Sequence, residues 1–190
     1  MIATSDFKKG AKILLRGQPY TIVDFQHVKP GKGGAFVRTK MKNLLSGLIL
    51  EETFRSGEKF ESPDLRYHSL QYLYNEDSLY YFMDQQDFEQ VAVNKKQIEG
   101  VLVFLKEQIV YTALYFEGKV VDLMPPMFLE LTVTDTIPGV KGDTAQGAGS
   151  KPATLETGLT LNVPLFIKEG DIVKVDTRDN SYIERVKNIT

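Results

Sequence analysis

The chain has 190 residues, of which 42% are apolar and 25% charged, as in an ordinary soluble globular protein. It contains no cysteine, which excludes disulfides, thiolate nucleophiles and cysteine-based zinc sites. No apolar run approaches the roughly 18 residues of a membrane helix, and the first residues do not form a secretory segment. We therefore expect a cytoplasmic protein with no membrane partner.

The net charge is only −2, but it is unevenly distributed. Residues 1–60 carry eleven Lys or Arg against five Asp or Glu, whereas residues 61–126 carry five against eleven and residues 127–190 seven against nine. A basic first third predicts an anionic partner for the N-terminal part of the chain. The alternative is chance variation in the charge of a solvated surface.

Strand patterns dominate the chain from its beginning. Runs rich in β-branched, aromatic and other apolar side chains, separated by turns with Gly or Pro, predict strands over residues 11–16, 19–28, 35–41 and 47–54. After Ser62-Pro63-Asp64 a second series follows, over residues 66–74, 78–83, 109–116 and 119–123. A third series covers residues 128–134, 157–163, 172–176 and 182–186.

Two segments break this pattern. Residues 94–106 have apolar side chains at helical spacing behind Asn94, a residue able to cap a helix, which predicts one short helix. Residues 139–150 are rich in Gly and small polar side chains and predict a flexible insertion. The fold class is therefore all-β, with three blocks (residues 1–63, 64–126 and 127–190) that suit small β-barrels or sandwiches.

The loop between the second and third predicted strands is the strongest candidate for a site. It reads Lys-Pro-Gly-Lys-Gly-Gly and places Lys32 alone at the tip of a predicted β-hairpin. Its neighbours Pro30, Gly31, Gly33 and Gly34 are small or rigid and leave one long cationic side chain to be presented.

Further cations surround this loop in the sequence. Together with Lys32, a basic stretch of RNA-binding character is formed by Lys29, Arg38, Lys40 and Lys42. On composition alone, a merely solvated hairpin tip is an equally good interpretation.

The chain offers little for catalysis. Its two histidines, His27 and His68, are 41 positions apart and predict no metal site. The neighbours Glu51 and Glu52 should point to opposite faces of a strand, and no serine lies in a nucleophile-elbow context. The loop at Lys32 lacks the phosphate-loop pattern and joins two strands. We expect neither an enzyme nor a bound cofactor or metal.

Tyrosines are concentrated in the second series of strands, and they could stack on nucleic-acid bases. Core or cross-strand pairing is the more frequent role of aromatic residues in strands, so no site is assigned to Tyr67, Tyr72, Tyr74, Tyr80 or Tyr81.

Several motifs together resemble the bacterial elongation factor P family, a relative of archaeal and eukaryotic initiation factor 5A. The resemblance covers essentially the whole chain. The motifs that carry it are K-P-G-K-G-G-A-F (Lys29–Phe36), R-T-K-M-K-N (Arg38–Asn43), G-D-T (Gly142–Thr144), the run from Lys151 to Gly170, and V-D-T-R (Val175–Arg178).

The resemblance implies an N-terminal SH3-like (KOW-type) barrel followed by two OB-folds, with an L-shaped, tRNA-like outline. It also implies a monomeric translation elongation factor that binds both ribosomal subunits between the P and E sites. Such a factor promotes peptide bonds at consecutive prolines by positioning the P-site peptidyl-tRNA. The alternative is a general single-strand RNA-binding OB-fold protein.

The resemblance also assigns roles to residues. The loop that carries Lys32 would reach the end of the P-site tRNA, and Lys32 would be the target of a lysine-modifying enzyme. The residues of a second loop, Gly142, Asp143 and Thr144, would face the E-site codon on the small subunit. Near the C-terminus, Tyr182 and Arg185 are expected to share a face and to assist ribosome contact.

Overall fold

A computed structural model describes residues 1–138 and 149–186. It confirms the all-β fold class, since helix in this part of the chain is limited to short 3-10 segments. No helix among the described residues is long and apolar enough to cross a membrane. The predicted insertion at residues 139–150 lies outside the described residues except for its last two.

The strands are numbered in chain order. They are β1 (Ile2–Ala3), β2 (Lys12–Leu15), β3 (Gln18–Val28), β4 (Phe36–Asn43), β5 (Ile49–Arg55), β6 (Lys59–Phe60), β7 (Leu65–Glu76), β8 (Leu79–Asp84), β9 (Gln90–Asn94), β10 (Val110–Phe116), β11 (Lys119–Met124), β12 (Phe128–Thr136), β13 (Ser150–Leu155), β14 (Thr160–Pro164), β15 (Ile172–Asp176) and β16 (Ser181–Val186).

The chain forms two compact units. The first comprises Met1–His68, Val93–Gln97 and Ala113–Leu123, and the second comprises Ser69–Ala92, Ile98–Thr112 and Met124–Thr190. The division into blocks ending at residues 63 and 126 stays a prediction.

The N-terminal sheet is an antiparallel meander in the order β2-β3-β4-β5, beside a two-stranded β1-β6 ribbon. Its core forms because apolar side chains alternate with polar ones along the strands. In β4, for example, Val37 and Met41 are buried, whereas Arg38, Lys40 and Lys42 are exposed. The core is rich in aromatic rings, and Phe7, Phe54 and Phe60 pack together with centroids 4.7–6.3 Å apart.

The central sheet has the order β11-β10-β7-β8-β9. The hairpin predicted at Glu117-Gly118 is confirmed, and both residues have positive φ (48° and 75°), as a two-residue turn between twisted strands requires. Strand β9 was not predicted, because its apolar run Val91-Ala92-Val93 is very short.

The predicted short helix at residues 94–106 is wrong in type. The chain instead forms two 3-10 segments, Lys95–Gln97 and Glu99–Phe104. Buried side chains recur every three residues, at Ile98, Val101 and Phe104, which is the period of a 3-10 helix rather than of an α-helix. Asn94 does act as a cap, since its Oδ1 accepts a hydrogen bond from the backbone N–H of Lys96 (3.1 Å).

The C-terminal sheet has the order β14-β13-β12-β15-β16. Its inner strand β13 was not predicted, because Pro152 argues against a central strand. The carbonyl of Pro152 accepts a hydrogen bond from the hydroxyl of Thr136 (2.9 Å) and so faces β12. The β12–β13 pairing ends at Thr136 and Ala153, the residue that follows Pro152, so the missing N–H of the proline breaks no ladder bond.

A buried carboxylate closes the end of β15. Asp176 accepts hydrogen bonds from the Arg178 guanidinium (Nε, 2.9 Å) and from the Arg178 backbone N–H (3.0 Å). These bonds and the charge of Arg178 lower the pKa of Asp176 to about 2. A carboxylate with a depressed pKa stabilises the fold at neutral pH. This contribution is lost as the pH falls from 3.8, the ordinary pKa of an Asp side chain, to about 2, the pKa of Asp176 in the fold.

We predict that Asp176→Asn unfolds more easily than the wild type at pH 7. The difference in free energy of unfolding should shrink as the pH is lowered from 4 towards 2, since the wild type alone loses this ion pair. Urea unfolding of both proteins at several pH values measures this difference in free energy. A difference that stays constant down to pH 2.5 would contradict the role of this ion pair.

Candidate functional site

The loop that carries Lys32 is held by the longest strand pair of the N-terminal sheet. Strands β3 and β4 pair antiparallel, and the last pair, Val28 with Phe36, leaves residues 29–35 as the connection. The predicted hairpin is therefore present.

The loop itself is exposed from Lys29 to Gly34. Gly33 has φ +107°, a conformation that L side chains rarely adopt. At the base of the loop, the backbone N–H of Ser56 donates to the carbonyl of Ala35 (3.0 Å). In the part of the chain that the structure describes, Lys32 takes part in no ion pair.

Three of the predicted cations share the outer face of β4. Arg38, Lys40 and Lys42 are exposed and alternate with buried residues along the strand. Alternation brings the three charges into one row that starts next to the Lys32 loop.

Acidic residues lie beside one of the three cations in this row, Lys40. The register places Lys40 opposite Asp24 on β3 and Glu51 on β5, and its Nζ lies 3.7 Å from Oε1 of Glu51. Asp24 also pairs with Lys9 at 3.0 Å. The hydrogen bond and charge of Lys9 lower the pKa of Asp24, with a smaller contribution from Lys40. Lys40 therefore has an acidic neighbour on each side, unlike the other two cations of the row.

Arg38 and Lys42 have uncharged neighbours instead. Arg38 lies opposite Gln26 and Thr53, and Lys42 opposite Thr21 and Ile49. The guanidinium of Arg38 lies over the ring of Phe36, 5.7 Å from its centroid.

Sequence reasoning missed one cation at this end of the sheet. Arg55 is exposed and pairs with Phe36, the first residue after the loop. Only the strand register could have revealed it, because Arg55 lies 23 positions from Lys32 in the sequence.

The structure brings Tyr182 and Arg185 to one face of β16. Side chains three positions apart in a regular strand point to opposite faces, but the pairing with β15 is irregular here. Tyr182 lies opposite Val175 and Arg185 opposite Val173, two residues that share the buried face of β15. Arg185 also lies 3.7 Å from Asp171. The other predicted site residues near the C-terminus, Gly142, Asp143 and Thr144, lie outside the described residues.

The remaining polar residues form no recognisable catalytic arrangement among the described residues. His27 packs edge-on against Phe25 (5.5 Å) and His68 lies against Tyr115 (4.4 Å). Glu51 and Glu52 diverge, towards Lys40 and Arg16 respectively. Within the described ranges, no group of three His, Cys, Asp or Glu could hold a metal ion.

Comparison with known proteins gives three family matches along the chain. Residues 3–60 match the elongation factor P KOW-like domain, residues 65–123 the elongation factor P OB domain, and residues 129–185 the elongation factor P C-terminal domain. Curated proteins described as elongation factor P are similar over 98% of this chain. The one from Natranaerobius thermophilus is 54% identical, with 99% of its own length covered, and the one from Clostridioides difficile is 52% identical, with 100% covered.

A solved structure shares the fold. It is described as eukaryotic translation initiation factor 5A from Methanococcus jannaschii, and it matches 64% of this chain and 94% of its own, with a TM-score of 0.50 and 24% identity. The matches define a translation elongation factor built from a KOW-like domain and OB-type domains, and not an enzyme. The chain belongs to the elongation factor P family.

We predict that Gly33→Ala destabilises the protein by about 1–2 kcal/mol, since the added Cβ makes the left-handed conformation costly. Gly34→Ala is the matched control, because Gly34 has no left-handed φ and a Cβ there meets nothing within 4 Å. It should leave stability within about 0.5 kcal/mol of the wild type. Urea unfolding of both variants measures the difference, and equal effects would show that Gly33 does not hold the loop in this conformation.

Proposed function

We propose that this elongation factor binds the ribosome between the P and E sites and promotes peptide bond formation at consecutive prolines. The observation that carries this proposal is Lys32, an exposed cation at a glycine-rich tip, held by a long antiparallel strand pair. Such a hairpin is narrow enough to enter an RNA-lined cavity that would exclude a whole barrel.

The mechanism needs no catalytic group on the protein. Proline is a poor nucleophile in this setting, because its ring restricts the approach and the geometry of the nascent chain. A factor that holds the peptidyl-tRNA in a reactive pose lowers the barrier without bond chemistry of its own. In this proposal the ammonium of Lys32 meets the end of the P-site tRNA, while the ribosome performs the reaction.

The loop and the outer face of β4 supply the tRNA and rRNA contacts. Lys29, Arg38 and Lys42 are exposed and have no acidic partner among the described ion pairs, which suits contact with phosphates. Lys40 contributes less, because Glu51 and Asp24 flank it. We further propose that Gly142, Asp143 and Thr144 face the small subunit. Tyr182 and Arg185, both on the edge strand β16, assist ribosome contact.

Lys32 is also the proposed target of a covalent modification. Its amine is accessible to a lysine-modifying enzyme, and a longer side chain would reach further from the same tip. No other cofactor or metal is part of the proposal, and the factor acts as a monomer in the cytoplasm.

We predict that Lys32→Ala slows synthesis through a run of prolines at least tenfold, which corresponds to about 1.4 kcal/mol of activation free energy. In vitro translation of a proline-run reporter, beside a reporter without prolines, measures the effect. Lys40→Ala is the matched control and should retain most of the activity, since Lys40 is already paired within the sheet. A Lys32→Ala protein as active as the wild type would refute the assignment of the loop.

A general single-strand RNA-binding protein is the second candidate, favoured by the row of cations on β4. It predicts tight binding of octauridylate without ribosomes and equal losses for Lys32→Ala and Arg38→Ala. Weak binding of octauridylate by the wild type would reject it.

A further inference from the structure

The meander of β7, β8 and β9 carries a charge pattern opposite to that of the Lys32 hairpin. Residues 69–92 contain five Asp or Glu and six Tyr or Phe, but no Lys, Arg or His. Four of the carboxylates are exposed: Glu76 and Asp77 lie at the β7–β8 turn, and Asp87 and Glu89 at the β8–β9 turn. Among the described residues, no ion pair involves any of these four.

A pair of aromatic rings, one exposed and one half-buried, lies between the two turns. Tyr74 on β7 is paired with Tyr81 on β8, and their rings stack with centroids 4.7 Å apart and planes at 25°. Tyr74 remains 45% exposed, and Gln90 at the start of β9 donates a hydrogen bond to its hydroxyl (3.3 Å). The pair is cross-strand, as is common for aromatic residues in strands, but it lies on the solvent side of the sheet.

The β8–β9 turn presents a third ring. Phe88 is 69% exposed and has φ +61°, a conformation that is costly for a bulky side chain. The turn holds it there, since the backbone N–H of Phe88 donates to the carbonyl of Asp84 (2.9 Å) and that of Glu89 to Oδ1 of Asp87 (2.9 Å). A strained turn that exposes a large apolar ring between two carboxylates indicates a contact surface.

This combination disfavours RNA as the partner. OB-type barrels bind oligonucleotides on strand faces, and aromatic rings there can stack on bases. The phosphates of an RNA would nevertheless be repelled by these carboxylates. Residues 69–92 also contain no cation that could replace the counterions of the phosphates. The surface therefore has the aromatic rings of a nucleic-acid site but lacks the cations that such a site needs.

The same groups fit a cationic protein segment. A guanidinium or ammonium stacks favourably on a tyrosine face, and carboxylates at both ends of β8 can pair with further basic side chains. The two turns flank a six-residue strand, so they lie roughly 20 Å apart, a span that about six residues of extended chain would cover. We propose that this acidic aromatic face (Glu76, Asp77, Tyr74, Tyr81 and residues 87–90) binds an extended protein segment rich in Arg or Lys. The inference does not depend on the role proposed for Lys32.

Titration of the full-length protein with octa-arginine, followed by amide chemical shifts, tests the proposal. The largest shifts should fall within residues 71–91. The double variant Asp87→Asn, Glu89→Gln should bind at least fivefold more weakly. Its turn should persist, because the amide that replaces the Asp87 carboxylate retains an oxygen that can accept the hydrogen bond of the residue 89 N–H.

Glu169→Gln with Asp179→Asn is the matched control. It removes the same charge from exposed positions outside the meander and should leave the dissociation constant unchanged. Equal weakening by both double variants, or shifts spread evenly over the protein, would overturn the proposal. Octauridylate should produce no shifts at residues 71–91, and binding of this RNA there would also overturn it.

Discussion

The antiparallel pairing of β3 with β4 is the constraint on which the presentation of Lys32 depends. The ladder runs from Tyr20 and Asn43 at one end to Val28 and Phe36 at the other, so the start and the end of the loop are fixed by backbone hydrogen bonds. The buried side chains of β4 hold this register, because a slip of one residue would expose Val37 and Met41. The loop between the two strands can therefore contain several glycines and still keep its position.

Charge divides the surface of the chain into basic and acidic parts. On β4 the cations form a row, but the strand register places Lys40 between two acidic residues and leaves Arg38 and Lys42 with uncharged neighbours. The charged side chains of the meander around Tyr74 and Tyr81 are all carboxylates. One small protein can thus present a basic surface to RNA and an acidic aromatic surface to a cationic protein segment, as we propose, without either surface attracting the other's partner.

Local patterns in the sequence were sufficient for most strands and for the loop at Lys32, because alternation and Gly-rich turns are local signals. These local patterns failed where strand pairing or packing determines the structure. Pro152 is tolerated in an inner strand because the ladder with β12 ends beside it, and the buried side chains of residues 98–104 follow a three-residue period. The acidic neighbours of Lys40 and the proximity of Arg55 to the loop depend on cross-strand register, which composition and spacing do not contain.

The proposed role of Lys32 requires that its loop reaches the end of the P-site tRNA. The chain has no cysteine, so Gly31→Cys creates a single attachment point for a hydroxyl-radical probe next to Lys32. With ribosomes that hold a P-site tRNA, we expect cleavage at the 3′ end of that tRNA from position 31, and none there from a control probe on Gln86→Cys. Ribosome binding without cleavage at the tRNA 3′ end from position 31 would contradict the account.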